Sequence, residues 1–270
     1  MDFGDIANRG LVLLGCGKMG GAMLEGWLRG GLPASSVWVL EPNPSDWLNA
    51  QKVHLNNGLP EDPAMIVLAV KPQMMGDALP SVAAKGGGSS VFLSIAAGTT
   101  IATFERSFGE GTPVIRAMPN TPAAVGRGIT ALIGNGAVDE AALAQAEVLL
   151  SAVGKTVRLS SEDQMDAVTA VSGSGPAYVF HLIEALAAAG EAEGLTPDLA
   201  MDLALTTVAG AGALAEAAEE SAAQLRINVT SPNGTTEAAL GVLMDEETGF
   251  PPLLKRAVAA AADRSRELGK

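Results

Sequence analysis

Leu11-Val12-Leu13-Leu14-Gly15-Cys16-Gly17-Lys18-Met19-Gly20 is the stretch that decides the fold of this chain. Four apolar residues make a short buried strand. Three glycines follow at G-x-G-x-x-G spacing, and a helix-forming run begins at Gly20. Gly15 permits the tight turn, Gly17 lets backbone approach a pyrophosphate, and Gly20 lets the helix pack closely on the strand. The helix start aims unpaired N–H groups and the positive end of its dipole at an anion. Glu41 stands about twenty residues further on, where a ribose-binding acid is expected, at the end of a second apolar strand, Val37 to Leu40. The glycine spacing alone also suits a plain βαβ turn. Strand, helix and acid together point to a dinucleotide site.

Outward from this stretch, strands and helices alternate. Strands are expected at Leu11–Leu14, Val37–Leu40, Met65–Val70, Val91–Ile95, Val114–Ala117 and Ile129–Ile133, with a weaker one at Val53–Leu55 and a last edge strand at Thr156–Leu159. Helical spacing fills Gly20–Arg29, Thr100–Phe108 and Asp139–Ala152. Such alternation implies parallel pairing through right-handed crossovers, hence a doubly wound α/β sheet of Rossmann type. After Ser160 the β-branched runs give way to Ala-rich helical patterns at Ser161–Val171, Pro176–Gly194, Pro197–Glu220, Thr235–Glu246 and Pro251–Leu268. Two domains follow: a dinucleotide-binding domain over 1–159 and an all-α domain over 160–270. Within the latter, Leu203–Ala215 carries no charge on any face and contains Gly210 and Gly212. A helix apolar all round must be covered on all sides. A partner subunit is the expected cover, with a central helix in a monomeric bundle as the alternative.

Composition narrows the function. The formal net charge is −13, with 48% hydrophobic and 17% charged residues. That negative field argues against nucleic acid or an anionic membrane as partner, and leaves a bound nucleotide to local backbone dipoles. Cys16 is the only cysteine and His54 and His181 the only histidines. An internal disulfide is excluded and a catalytic metal is not expected. The short acidic start, Met1-Asp2-Phe3-Gly4-Asp5, is unlike a targeting peptide. The run Leu203–Ala215, bounded by Asp202 and Glu216, reads as too short for a membrane span. The cytoplasm is the default location.

Five further motifs sit at the ends of elements. Ala69-Val70-Lys71-Pro72 closes a buried strand on the side where open sheets bind ligands. Ser94-Ile95-Ala96-Ala97-Gly98 ends the next strand with side chains small enough for a flat ring, or for tight helix packing. Met118-Pro119-Asn120-Thr121-Pro122 reads as a rigid turn. Ser172-Gly173-Ser174-Gly175-Pro176 breaks two helical patterns, as a kink or as a place where exposed N–H groups receive a ligand. Val229-Thr230-Ser231-Pro232-Asn233-Gly234-Thr235-Thr236-Glu237 leads a flexible loop into a helix capped by Thr235 or Thr236. It has three hydroxyls and no basic residue, so it suits a lone carboxylate better than a phosphate.

Together these stretches resemble one family, the pyrroline-5-carboxylate reductases. The match runs in order from Leu14-Gly15-Cys16-Gly17-Lys18-Met19 through Arg116-Ala117-Met118-Pro119-Asn120-Thr121-Pro122 and Asp166–Tyr178 to Val229–Thr236. The resemblance implies a Rossmann domain followed by a helical domain that makes a homodimer, with dimers in the family commonly assembling into decamers. The implied reaction is hydride transfer from NADPH or NADH to 1-pyrroline-5-carboxylate, giving L-proline in the last step of proline biosynthesis. Cofactor contacts would come from Leu14, Gly15, Cys16, Gly17, Lys18, Met19, Gly20, Asn43, Asn56, Ala69, Val70, Lys71, Pro72, Ala96, Ala97 and Asn228. Glu162, Ser231, Thr235 and Thr236 would hold the substrate, with Thr236 as the catalytic residue near the ring nitrogen. The chain departs from the family in two places. Many members have Pro-Gly-Gly where it has Pro232-Asn233-Gly234, which Asn tolerates at left-handed angles. The loop Glu41-Pro42-Asn43-Pro44-Ser45-Asp46 has no arginine for a 2′-phosphate and two acids that repel one, which keeps NADH use open. An imine or β-hydroxyacid reductase of the same plan is the runner-up, although its first long C-terminal helix offers only His181 as a proton carrier. A nucleotide-sensing protein without turnover is the alternative from another class.

Overall fold

A computed structural model describes residues 1–269. Eight strands form one sheet: β1 (Leu11–Leu14), β2 (Val37–Leu40), β3 (His54–Leu55), β4 (Met65–Leu68), β5 (Val91–Ser94), β6 (Val114–Met118), β7 (Gly128–Gly134) and β8 (Gly154–Arg158). Twelve α-helices are found among the described residues: α1 (Gly4–Arg9), α2 (Lys18–Arg29), α3 (Asp46–Asn49), α4 (Met75–Ala78), α5 (Ile101–Phe108), α6 (Glu140–Ser151), α7 (Met165–Val168), α8 (Gly175–Ala192), α9 (Pro197–Ala217), α10 (Ala222–Asn228), α11 (Thr235–Leu243) and α12 (Phe250–Leu268). Strand order is β3-β2-β1-β4-β5-β6-β7-β8, so the winding reverses between β1 and β4. Ligands of doubly wound sheets bind at that reversal, beyond the carboxyl ends of the strands.

Period-two alternation divides the apolar strands between two cores. Leu11 and Leu13 of β1, with Met65 and Val67 of β4, face Met23, Leu24 and Trp27 of α2. Val12, Leu14, Ile66 and Leu68, with Phe92 of β5, face Phe104 and Phe108 of α5 on the other side. Both sheet faces are therefore covered, which is why these strands read as continuous apolar runs rather than alternating ones.

One strand runs against the expectation of uniform parallel pairing. β7 is antiparallel to β6, with Ala117 opposite Leu132, and β8 is then parallel to β7. The link from β6 to β7 is a short 3₁₀ turn, Thr121–Val125, with no crossover helix. A chain that returns without a crossover pairs antiparallel. Four helices escaped the sequence reading, the short α1, α3 and α4 and the longer α10. The last is capped by Ser221, whose hydroxyl accepts from the Gln224 amide at 3.2 Å, a cap signal legible in Ser221-Ala222-Ala223-Gln224.

Contacts group the chain into two compact units, 1–174 with the C-terminal end from Ala261, and 175–260. The first unit extends past the boundary expected at 159/160. Segment 160–174 stays with the sheet because Glu162 pairs with Arg116 of β6 at 2.7 Å and Asp166 accepts from Ser265 at 2.6 Å. The segment consists of a 3₁₀ turn, α7 and a π-helical turn over Thr169–Gly173, where one regular helix was expected. In the π turn the Ser174 amide reaches Thr169 O at 2.8 Å. Pro176 cannot donate to the carbonyl four residues earlier, and that Ser172 oxygen accepts instead from Asn120 Nδ2 at 3.1 Å.

In the second unit α8 packs on α9 through Ile183, Ala187, Ala200 and Ala204. Within this unit the rest of α9 is left uncovered: Leu203 is 49% and Leu205 50% exposed. That excludes the reading of α9 as the central helix of a monomeric bundle. The helix is also longer than its charge-free run, because it continues through Asp202 and Glu216. With mean hydropathy 1.3 it passes the length and composition test for a membrane span that the sequence reading denied it. An apolar surface of this kind on a helix is also what a subunit interface presents. Replacing Leu203 and Leu205 by Asp should leave the chain folded by circular dichroism and lower its mass in light scattering. An unchanged mass would show that something other than a second copy covers α9.

Candidate functional site

β1 delivers the chain into the glycine loop at the sheet's reversal. Gly15 has φ +89°, and a Cβ there would meet Val70 Cγ1 at 2.8 Å and the Ala69 carbonyl at 3.0 Å. A Cβ on Gly20 would come within 2.6 Å of Gly15 O. These two glycines are demanded by the fold, because the loop lies directly on the end of β4. Gly17 differs: a Cβ there meets no atom within 4 Å. It is the N-cap of α2 with no capping side chain, so the first amides of the helix keep their donors for a ligand. An open space above uncapped amides is what a diphosphate requires, and the residues present fit one.

Beside the loop lies a cleft of about 450 Å³ lined by Cys16, Gly17, Lys18, Glu41, Asn43 and Trp47, among others. Glu41 bridges its wall. Its Oε2 accepts from the Cys16 amide at 2.8 Å and its Oε1 from the Asn43 amide at 3.0 Å. Burial, and then the Glu41 charge, push the Cys16 thiol up to about 11, so it is protonated at neutral pH and no nucleophile. Asn56, at φ +49°, accepts from Glu41 N at 3.0 Å and donates to Glu41 O at 2.8 Å. It clamps the backbone of Glu41, whereas Asn43 lines the cleft itself. Trp47 was not singled out in the sequence. An exposed tryptophan just after a Pro-Asn-Pro-Ser turn was the available signal, and a flat ring bounding a nucleotide-sized cleft is its result.

Other expected cofactor residues are placed unevenly. Leu14 is buried at the end of β1, and Ala69 and Val70 form the floor beneath the glycines. Lys71 and Pro72 are exposed just beyond, where Pro72 opens a 3₁₀ turn. Ala96 is core, its amide donating to Ser94 Oγ at 3.2 Å, and Ala97 is half-buried. The Gly98 turn, at φ +73°, is approached by Leu268, so helix packing occupies the end of this motif. Met118 is drawn close to the helix break: a Cβ on Gly173 would sit 2.6 Å from its Cε. The Pro-Asn-Thr-Pro and Ser-Gly-Ser-Gly motifs thus touch.

In the second unit, Gly234 donates to Ser231 O at 3.0 Å and Asn233 takes φ +57°, the left-handed turn expected of it. Glu237 Oε2 accepts from Asn233 N at 2.7 Å and fixes the loop. The cap of α11 is Gly234, with no side chain bonded to the helix start, rather than Thr235 or Thr236. The threonines fall inside the first turn, so their hydroxyls are not spent on capping. Asn228 ends α10 and accepts from Gln224 Nε2 at 2.8 Å. In the first unit, Glu162 Oε1 accepts from buried Arg116 and, at 3.0 Å, from Ile101 N at the start of α5. The histidines are otherwise engaged: His54 stacks on Trp38 at 4.4 Å, and His181 forms an exposed pair with Glu184. Among the described residues no three His, Cys, Asp or Glu side chains gather as a metal site would need.

The doubly wound sheet and its glycine loop define an oxidoreductase with a Rossmann-type NAD(P)-binding domain. Two family models match, "NADP oxidoreductase coenzyme F420-dependent" over residues 10–98 and "Pyrroline-5-carboxylate reductase dimerisation" over 162–268. The chain is 40% identical to the pyrroline-5-carboxylate reductase of Pseudomonas aeruginosa over 96% of its own length and 97% of that protein. Its fold superposes on the enzyme from Coxiella burnetii with TM-score 0.89 and 34% identity, covering 97% of this chain and 99% of that one. The Plasmodium falciparum pyrroline carboxylate reductase, solved with NADP bound, gives TM-score 0.83 and 28% identity over 98% of this chain and 99% of that one. This chain belongs to the pyrroline-5-carboxylate reductase family, and its C-terminal helical domain is the family's dimerisation domain.

Two glycine substitutions separate fold from ligand. Gly20→Ala should cost about 2 kcal/mol of stability in chemical denaturation, because the added methyl meets backbone. Gly17→Asn should keep the melting temperature, since Asn caps well, yet weaken NAD(P)H binding about tenfold or more in a fluorescence titration. Unchanged affinity would remove Gly17 from the nucleotide site.

Proposed function

We propose that this chain reduces 1-pyrroline-5-carboxylate to L-proline with NAD(P)H, and that the start of α11 is where it holds the substrate. The observation that carries the assignment of the substrate loop is an uncapped first helical turn bearing Thr235 and Thr236, with Ser231 at the mouth of the loop and no basic side chain in 229–237. Such a turn offers amide and hydroxyl donors to one carboxylate. A phosphate would call for a cation as well.

When bound, the dihydronicotinamide supplies the hydride that C5 of the imine receives. The glycine loop Gly15–Gly20 and the first amides of α2 hold the diphosphate. Lys18, the first residue of α2, lies beside that diphosphate, Asn43 and Trp47 bound the adenosine end, and Asn56 fixes that wall through Glu41. Ala69, Val70, Lys71 and Pro72, with Ala96 and Ala97, border the path toward the nicotinamide, and Asn228 is a further cofactor contact. Ser231 and Thr235 orient the substrate carboxylate. The Thr236 hydroxyl hydrogen-bonds the ring nitrogen, which keeps its proton as the C=N bond becomes a C–N bond. A protonated imine is already electrophilic, so the demand on the protein is position more than acid strength. That agrees with a Cys16 held as a thiol and two histidines engaged elsewhere. Glu162, anchored by Arg116 and the α5 amide, is proposed as the acid nearest the substrate.

The homodimer made by the helical domain assembles further, on the family resemblance, into a larger ring such as a decamer. The net charge of −13 supports a cytoplasmic protein without nucleic-acid or membrane partners. Thr236→Ala should lower kcat about 100-fold with the cofactor affinity retained, the scale of losing one positioned donor. Steady-state kinetics on pyrroline-5-carboxylate checks this, and unaltered rates would take Thr236 out of the site.

A further inference from the structure

Glu41 does more than end a strand. Its carboxylate is held by two backbone amides, Cys16 N at 2.8 Å and Asn43 N at 3.0 Å, while Asn56 grips its main chain from both sides. A carboxylate held at both oxygens, on a backbone held at both N and O, does not swing away when a ligand arrives. It presents a fixed negative charge to the cleft at the end of β2, beside the glycine loop. The other charged side chains on that wall are Lys18, at the start of α2, and a second acid, Glu25.

From this arrangement we infer that Glu41 sets the cofactor choice of the reductase in favour of NADH over NADPH. The two cofactors differ only at the 2′ position of the adenosine ribose, a hydroxyl in one and a phosphate in the other. An ionised carboxylate accepts hydrogen bonds and donates none. Two of its lone pairs are taken by amides, and the remaining ones can accept from a ribose hydroxyl. A 2′-phosphate has no proton to give and needs donors and positive charge instead. Two amide donors on that wall, Cys16 N and Asn43 N, are already taken by Glu41. The loop 41–46 carries no lysine or arginine and adds a second acid, Asp46. Lys18 sits on the first turn of α2, placed for the diphosphate that both cofactors share. Charge and hydrogen-bond polarity therefore disfavour NADPH at the same point. This holds although the matching N-terminal family model carries NADP in its description and the Plasmodium relative was solved with NADP.

The inference rests on the reductase reading, and two readouts keep them apart. Fluorescence titration of the purified full-length protein with NADH and with NADPH measures affinity without turnover. Initial rates with pyrroline-5-carboxylate measure the reaction. NADH should bind about tenfold or more tightly than NADPH, the scale of one fixed like charge beside the phosphate. Glu41→Gln, which keeps an amide acceptor and removes the charge, should close that gap about tenfold, chiefly by tightening NADPH. NADH preference in the titration without reduction of pyrroline-5-carboxylate by either nucleotide would sink the reductase reading and leave this one standing. Equal or tighter binding of NADPH by the unaltered protein overturns the inference whatever the rates are. So does a Glu41→Gln protein of unaltered melting temperature whose selectivity has not moved.

Discussion

Everything functional in the first unit depends on how closely the Gly15–Gly20 backbone lies against the end of β4. Gly15 takes a left-handed angle with Ala69 and Val70 directly beneath it, and Gly20 rests on the Gly15 carbonyl. Neither contact leaves room for a side chain, so the strand can turn into α2 in only one way. That turn leaves the helix start uncapped and open on the side of Gly17, where nothing approaches. The protein thus stores unspent hydrogen-bond donors at one place, and the sheet reversal between β1 and β4 puts that place at the ligand end of the fold.

The same economy recurs at α11. There a glycine cap and an asparagine at a left-handed angle turn the chain without using the threonine hydroxyls that follow. Both helix starts lack a capping side chain, unlike α3, α6 and α10, which are capped by Ser45, Asp139 and Ser221. The starts of α1, α4, α7 and α9 also lack a side-chain cap, but those of α2 and α11 are open on a glycine. Acids at the two starts, Glu41 and Glu237, brace the adjoining loops through backbone amides.

The sheet and its glycine loop were legible because they depend on short-range pattern: apolar runs of four and glycines at fixed spacing after the first of them. What stayed hidden depends on long-range contact. The antiparallel β7 follows from the absence of a crossover helix after Pro119, which a strand pattern does not reveal by itself. The linkage of 160–174 to the sheet follows from Arg116, a buried guanidinium whose partner lies far along the chain. The π turn at Thr169–Gly173 follows from Pro176 and from an Asn120 amide that no local reading connects to it. The threonines of α11 were read one or two residues too early in the helix, because glycine caps are quieter signals than hydroxyl caps. The apolar helix α9 announced its need for a cover. Its own unit supplies little of that cover, and the dimerisation family model spans it.

The central claim is that the open helix start above Gly17 seats the diphosphate of a nicotinamide dinucleotide. A crystal structure of the protein with NADH tests it most directly. The account requires diphosphate oxygens at roughly 3 Å from the first amides of α2, Lys18 and Met19. A nucleotide bound elsewhere, with the Gly15–Gly20 backbone touching nothing, would contradict it.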